Sequence, residues 1–358
     1  MRWDLADEQE MFRDSFADWL ADHASSEAVR GWLDAGDAGP FEQRMAADGW
    51  LGVGFSEEAG GQGGGLLELA LAAEQLGHAA APGASWLASV LAAPALASQP
   101  EVSAAVLEQG EAAALAVAAG RPPDEPGPVV AKDGALHGTV RGVLGASHAR
   151  HLVVPVWADG QCTLFLAAAA EPAISRTARK LLDRSRSAAD ITFTGVPAQP
   201  LDADGRALLA DAALRAAVLV AADSLGAADR MLRLAVDYSL QRTQFGVPIG
   251  SFQAVKHAAA TMLVAVESSR TITYFAAASV EQGGGESGLH AAAAKAQVTA
   301  AAEQAADSAL TMHGAIGYTW EHDLQLFYKR AKLNAYLFGT PQAWNERLAS
   351  ALPLLPGR

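Results

Sequence analysis

Apolar positions recur at helical spacing through the first part of the chain, shift to strand-like runs in the middle, and return to helical spacing towards the end. In "LADEQEMFRDSFADWLADHA" the residues Leu5, Phe12, Phe16, Trp19 and Leu20 fall on one helical face. "GGQGGG" (Gly60–Gly65) predicts a break before a further helix, "LLELALAAEQLGHAA", and "APGASW" turns the chain into another. From about 113 to 204 the runs "AALAVAA", "LHGTVRGVL", "HLVVPVWA", "QCTLFLAA" and "ADITFTGVP" are short, rich in Val, Leu, Thr and Phe, and punctuated by Gly, Pro and Asp. That pattern predicts a small antiparallel β-barrel or sandwich. "GRPPDEPGP" (Gly120–Pro128) predicts a loop. From about 205 the period is helical again. Leu214, Val218, Leu225, Leu232 and Val236 share a face of one long helix, and "HAAAAKAQVTAAAEQAADSALTM" has high helix propensity with small side chains that let helices approach. The expectation is a multi-domain α+β protein: a helical domain at 1–112, a β domain at 113–204 and a four-helix bundle at 205–358.

Composition narrows the function. Of 358 residues, 51% are hydrophobic and 18% charged, as in a globular protein. The formal net charge is −14 and no basic run occurs, which excludes general attraction to nucleic acid or anionic lipid. The lone Cys162 excludes an intrachain disulfide and a cysteine-based metal cluster. "MRWDLADEQEMFRDSF" lacks the basic start and apolar core of a signal peptide, and no apolar run reaches membrane-span length, so a cytoplasmic location is expected. The glycine cluster is not followed by Lys-Ser/Thr, and no GxGxxG follows a strand. A phosphate loop and a nicotinamide-binding Rossmann domain are therefore not expected.

Two long stretches carry the chemistry: "YSLQRTQFGVPIGSFQAVKHAAATM" (Tyr238–Met262) and "TMHGAIGYTWEHDLQLFYKRAK" (Thr311–Lys332). Set after a helical-β-helical order, and with "WLGVGFSEEAGGQGGGLLELALAAEQLG" near the start, they resemble the acyl-CoA dehydrogenase family of flavoproteins along essentially the whole chain. The resemblance implies FAD. A pyrophosphate needs cationic and N–H donors, and an adenine needs an apolar face. Arg242 offers the donors, Gln244 a polar contact and Phe245 the ring; Gln253 follows in the next helix. In the family this motif reaches the FAD of a neighbouring subunit. Thr311, Gly314, Ala315 (where the family usually has glycine) and Gly317 match the second contact with the ADP half. Thr340 and Gln342 match positions that serve the chain's own flavin.

The resemblance also shows what is absent. The family desaturates acyl-CoA thioesters: a carboxylate takes the α-proton while flavin N5 takes the β-hydride. The commonest base precedes the Gly-Thr of the turn in "AYLFGTPQAWNERL"; here that residue is Phe338. The alternative base lies on the first long helix of the C-terminal domain. Counting back from Arg242 puts it at Ala216, between Arg215 and Ala217. Glu346, Glu321 and Asp323 are expected to pair or cap locally. The family's Thr-Glu-Pro…Gly-Ser-Asp loop is replaced by "LAVAAGRPPDEPGP", with Asp124–Pro126 as a displaced echo. Its Trp-Ile-Thr-Asn is replaced by "GVLG", so that Gly142 stands for the aromatic and Leu144 for the hydroxyl.

Loss of the base and the ring cradle, with retention of the far-end motifs, resembles the non-catalytic chain of bacterial heteromeric members, typically α2β2 and known from sterol side-chain degradation. The implied partner is a homologous catalytic subunit that binds most of the acyl-CoA, with electron-transfer flavoprotein as acceptor. A self-sufficient flavoenzyme of the same fold with oxidase- or monooxygenase-like chemistry stays open, as does a non-enzymatic scaffold. The intact "RTQFG" and "HGAIGY" argue against the scaffold.

Overall fold

The computed structural model describes residues 5–352 except 56 and 58–60; Met1–Asp4 of the acidic start and Gly60 of the glycine break lie outside the described residues. Six helices open the chain: α1 (Asp7–His23), α2 (Ser26–Ala35), α3 (Gly39–Ala47), α4 (Leu66–His78), α5 (Ala84–Leu96) and α6 (Pro100–Leu107). Their ends follow local chemistry. Ser25 accepts from the Ala28 N–H at the start of α2, and Gly36 closes it in the left-handed region (φ +67).

The strands β1 (Ala113–Leu115), β2 (Val130–Lys132), β3 (Ala135–Leu144), β4 (His151–Ala158), β5 (Gln161–Ala168), β6 (Ile174–Ala178), β7 (Ala188–Pro197) and β8 (Gln199–Pro200) follow. They form two four-stranded sheets, ordered β1-β4-β5-β8 and β2-β3-β7-β6. Leu136 and Val140 of β3, Leu152 and Val154 of β4, and Ile191 and Phe193 of β7 share one core, so the sheets make a sandwich. One expectation is corrected: β1 pairs with β4 in parallel, Ala113 to His151 and Leu115 to Val153. A chain arriving from α6 joins the edge of β4 directly, without a hairpin. β4 is buried on both faces, because Val153 points into the helical core while Leu152 and Val154 point into the sandwich. Hence its unbroken apolar run.

The last third holds α7 (Gly205–Gln241), a small hairpin of β9 (Thr243–Gln244) and β10 (Val247–Pro248), α8 (Gln253–Gln282), α9 (Ser287–His313), α10 (Leu324–Asn334) and α11 (Pro341–Ala351). α7 does not present the single apolar face expected of it. Residues 216–228 are buried all round, whereas Val236 is exposed. The middle of α7 is the central rod of the molecule, with α4, α8, α9 and α10 around it. Two glycines let α4 come against it backbone to backbone. A Cβ on Gly226 would lie 1.8 Å from the Glu74 carbonyl oxygen, and one on Gly77 would lie 2.0 Å from that of Asp223.

Beside that contact lies a buried polar knot. Arg330 of α10 is fully buried. Its Nε bonds Asp183 at 2.9 Å, its Nη1 the Leu76 carbonyl at 3.1 Å, and its Nη2 the Ala80 and Ala81 carbonyls at 3.2 and 2.8 Å and the Ser185 hydroxyl. Asp223 of α7 takes Arg186 Nη2 and Asn334 Nδ2, each at 2.6 Å. Burial pushes the Asp183 carboxyl up, but the guanidiniums of Arg330 and Arg186 overcome it and hold the carboxyl below its ordinary range. Two cations thus balance two anions, and one guanidinium ties the N-terminal helices, the sandwich and the C-terminal helices together.

The helix contact gives a paired prediction. Gly226→Ala is expected to lower unfolding stability by about 3 kcal/mol, because backbone must move to admit the methyl. Gly288→Ala, near the start of α9 with open space at its Cβ position, is expected to be neutral or stabilising by up to about 1 kcal/mol. Urea unfolding of the two variants checks the opposite signs.

Candidate functional site

The residues singled out from the sequence fall in two places. Thr340 and Gln342 lie at the start of α11, beside Phe338. Arg242, Gln244, Phe245, Gln253, Thr311, Gly314, Ala315 and Gly317 lie where α7 and α9 end and α8 begins.

At the first place the turn between α10 and α11 is shut. Phe338 is 2% exposed and sits in the left-handed region at φ +53, a costly conformation for a phenylalanine. Its N–H donates to the Ala119 carbonyl at 2.6 Å, and its carbonyl accepts from Trp344 Nε1 at 2.9 Å. Ala119 in turn donates to the Gly142 carbonyl at 3.1 Å. The Pro122 ring lies so near that a Cβ on Gly339 would be 3.2 Å from its Cγ. Arg347 closes the outside with a fork onto Asp124, at 2.8 and 3.1 Å, and stacks over Trp344. The loop that replaces the family's flavin loop is therefore strapped across the turn. Thr340 is occupied as the N-cap of α11, accepting from the Ala343 N–H at 3.2 Å, and Gln342 is exposed. Ala216, the alternative base position, is fully buried in α7. Of the three remaining acids, Asp323 pairs with Arg30 and Glu346 is exposed. Arg347, the residue beside Glu346, pairs with Asp124 instead.

Lys295, missed in the sequence because it sits in an alanine-rich helix, lies directly beneath this turn. It is fully buried, and its Nζ donates to the Gly339 carbonyl at 2.8 Å and the Asn334 carbonyl at 3.2 Å. Burial pushes its ammonium down to about 7, only partly offset by Glu303. Two carbonyls suit the two N–H bonds of a neutral amine.

The second place is open. Arg242 ends α7, its N–H donating to the Tyr238 carbonyl at 2.8 Å, and its side chain is exposed. The two-residue turn between β9 and β10 is Phe245-Gly246, with φ +53 and +81, as a type I′ hairpin requires. This turn lifts the Phe245 ring into solvent at 93% exposure, edge-on to Phe252. Gln244 and Gln253 are exposed beside it. α9 ends at Gly314 (φ +65, ψ −146), a region open essentially to glycine alone, with free space where a Cβ would stand. Ala315 is exposed. Thr311 is exposed too, its hydroxyl donating to the Asp307 carbonyl. Gly317 is buried; a Cβ there would press on Leu310, Leu324 and His313 at 3.0–3.1 Å, so its first duty is packing. Leu240, Leu263, Val264 and Tyr318, all more than half exposed, extend the apolar surface along α7, α8 and the turn after α9.

The family models for the acyl-CoA dehydrogenase N-terminal and C-terminal domains match residues 6–106 and 204–352. The acyl-CoA dehydrogenase IpdE2 of Mycobacterium tuberculosis is 32% identical over 351 residues, covering 96% of this chain and 97% of that protein. IpdE2 of Mycolicibacterium smegmatis is 33% identical, covering 96% and 98%. Among solved structures, a variant of the Tcur3481-Tcur3483 steroid ACAD superposes with TM-score 0.86 at 26% identity over 96% of this chain and 97% of that one. The ChsE4-ChsE5 complex from Mycobacterium tuberculosis superposes with TM-score 0.87 at 23% identity over the full length of both, a likeness of fold. The chain belongs to the acyl-CoA dehydrogenase family, whose members are FAD-dependent oxidoreductases of acyl-CoA thioesters.

Tested against FAD, the two places differ. The exposed Arg242 fork, the solvent-facing Phe245 ring and the open space at Gly246 and Gly314 fit the ADP half of the cofactor. The strapped turn does not fit the ring half: Ala119 and Pro122 press on Phe338 and Gly339, and Gly142 offers no ring to stack on.

Lys295 sets a pH signature. Unfolded, it titrates near its ordinary value; folded, near 7. Between these values unfolding takes up a proton, so stability should rise with pH above 7, by at most about 1.4 kcal/mol per unit, and be flat in this respect below 7. Lys295→Met is expected to remove that rise. Urea midpoints from pH 6 to 9.5 for both proteins measure it, and equal slopes would count against the assignment.

Proposed function

We propose that this chain is the non-catalytic subunit of a heteromeric FAD-dependent acyl-CoA dehydrogenase, and that it completes the cofactor site of a homologous catalytic chain. The observation that carries the reading is the sealed turn at Phe338. Abstraction of the α-proton needs a carboxylate whose basicity rises when substrate excludes water. A phenyl ring cannot supply it, and neither can the buried Ala216. Asp124 and Glu125 are held by Arg347.

When bound, FAD supplies the hydride acceptor for the β-carbon of the thioester. This chain's residues would hold its far end. The Arg242 guanidinium and the Gln244 amide donate to the pyrophosphate, Phe245 lends a face to the adenine, and the turn from Gly314 lets backbone approach without a Cβ. Gln253, Thr311 and Ala315 border the same surface. Thr340 and Gln342 keep the family's residue types at positions that serve a chain's own flavin; here Thr340 acts as a helix cap. The partner supplies the base, the ring contacts and most of the acyl-CoA pocket. A steroid-derived acyl group is favoured by the likeness to the Tcur3481-Tcur3483 steroid ACAD, and electron-transfer flavoprotein is the acceptor we assign. The assembly is an α2β2 heterotetramer.

Visible absorbance of the chain purified alone, and co-purified with the product of an adjacent dehydrogenase-like gene, tests this. Flavin is expected only in the pair, at one FAD per pair. Yellow, active protein from this chain alone would overturn the proposal and favour a self-sufficient flavoenzyme. Phe338→Glu is expected to leave this chain inactive alone, because the strap still covers the turn; recovered acyl-CoA oxidation would contradict the closed half-site.

A further inference from the structure

The two turns assigned to the ADP half are about 70 residues apart in the chain, and each is a short element at a helix end. Something has to hold them at one spacing. Three rings meet there. Tyr238, one turn before Arg242, stacks on His313, the residue before Gly314, with centroids 4.6 Å apart and planes 22° from parallel. His322 stands edge-on to both, 4.6 Å from His313 and 6.4 Å from Tyr238. Each ring is anchored in its own element. His313 Nδ1 bonds the Ala309 carbonyl at 2.7 Å on the last turn of α9. His322 Nδ1 accepts from the Leu324 N–H at 3.1 Å at the start of α10, and the neighbouring Asp323 pairs with Arg30 of α2.

His313 is 4% exposed. Because a carbonyl accepts from its Nδ1, that nitrogen carries the proton, and the bare Nε2 is buried with no hydrogen-bond partner. An unsatisfied buried acceptor costs about 1–3 kcal/mol. The flat ring, not the second nitrogen, is thus what the packing uses. Burial lowers the proton affinity of both His313 and His322, so the stack is neutral near pH 7.

We infer that the Tyr238–His313–His322 stack is a positioning element that sets the distance between the Arg242–Gly246 hairpin and the Gly314–Gly317 turn, so that both touch one flavin nucleotide. The inference rests on the function proposed above. The stack touches the cofactor only through the two turns it spaces, so its effect falls on cofactor affinity and not on the chemical step.

The test measures FAD affinity in the assembled, flavin-binding preparation, by titrating FAD into the apoprotein. His313→Ala and Tyr238→Leu are each expected to weaken FAD binding about tenfold, with kcat at saturating FAD unchanged. His313→Phe keeps a ring on Tyr238 and is expected to stay within about threefold of the parent. Arg242→Ala is the control for the site itself. If Arg242→Ala weakens FAD binding while His313→Ala and Tyr238→Leu do not, the positioning role fails and the site stands. An unchanged affinity in Arg242→Ala sinks the site assignment and this inference together. Equal losses in His313→Phe and His313→Ala, or variants that no longer assemble, would show the stack to be a folding element and overturn the inference.

Discussion

The fold hangs on one buried guanidinium. Arg330 reaches three carbonyls at the end of α4 and just beyond it, and a carboxylate and a hydroxyl in the loop before β7, while sitting on α10. Three parts of the chain that share few other polar contacts are fixed to one point. A buried cation of this kind is tolerated only when every donor is matched and its charge is balanced, and Asp183 and Asp223 complete that balance. The close approach of α4 and α7 at Gly77 and Gly226 depends on the same registration, since Asp223 lies on α7 between the knot and the helix contact. Asn334, which also bonds Asp223, is the last residue of α10, so the knot reaches the turn that carries Phe338.

From that point the molecule divides into a closed end and an open one. The closed end has every group of the Phe338 turn engaged: its N–H by Ala119, its carbonyl by Trp344, the next carbonyl by Lys295, and its flank by Arg347 and Asp124. The open end has an exposed guanidinium, an exposed phenyl ring and a helix, α8, whose first half carries exposed Leu263 and Val264. A protein that worked alone would be expected to show the opposite balance, with an accessible reaction centre and a covered periphery. This asymmetry is what makes a second, related chain the natural complement.

The sequence was most informative where one period ran for many residues. The long helices, the strands from His151 to Ala158 and Gln161 to Ala168, and the order of helical, β and helical regions were all legible that way. β2, β6 and β8 were not read, because strands of two to five largely exposed residues carry little period-2 signal. The face of α7 was misread because a helix buried on all sides has no single face to find. The motif residues were visible, but their division between a shut turn and an open corner was not, since Thr340 and Arg242 look equally available in a one-dimensional string. Gly317 was read for cofactor approach, and packing against Leu310, Leu324 and His313 explains it as well. The ring stack was within the quoted motifs, yet nothing in Tyr238 or His313 alone announces that the two meet.

The length of α7 has a further consequence. At 37 residues it runs for about 55 Å, one end near the sandwich and the other at Arg242. Its middle cannot slide, being locked to α4 through Gly226 and to the polar knot through Asp223. A rod clamped at its centre behaves as a fixed-length gauge: the geometry at the exposed corner is referred back to the interior, not to the flexible loops nearby. Any partner that docks at that corner is thereby registered against the whole body of this subunit. An otherwise inert chain would thus serve the assembly as its measuring stick.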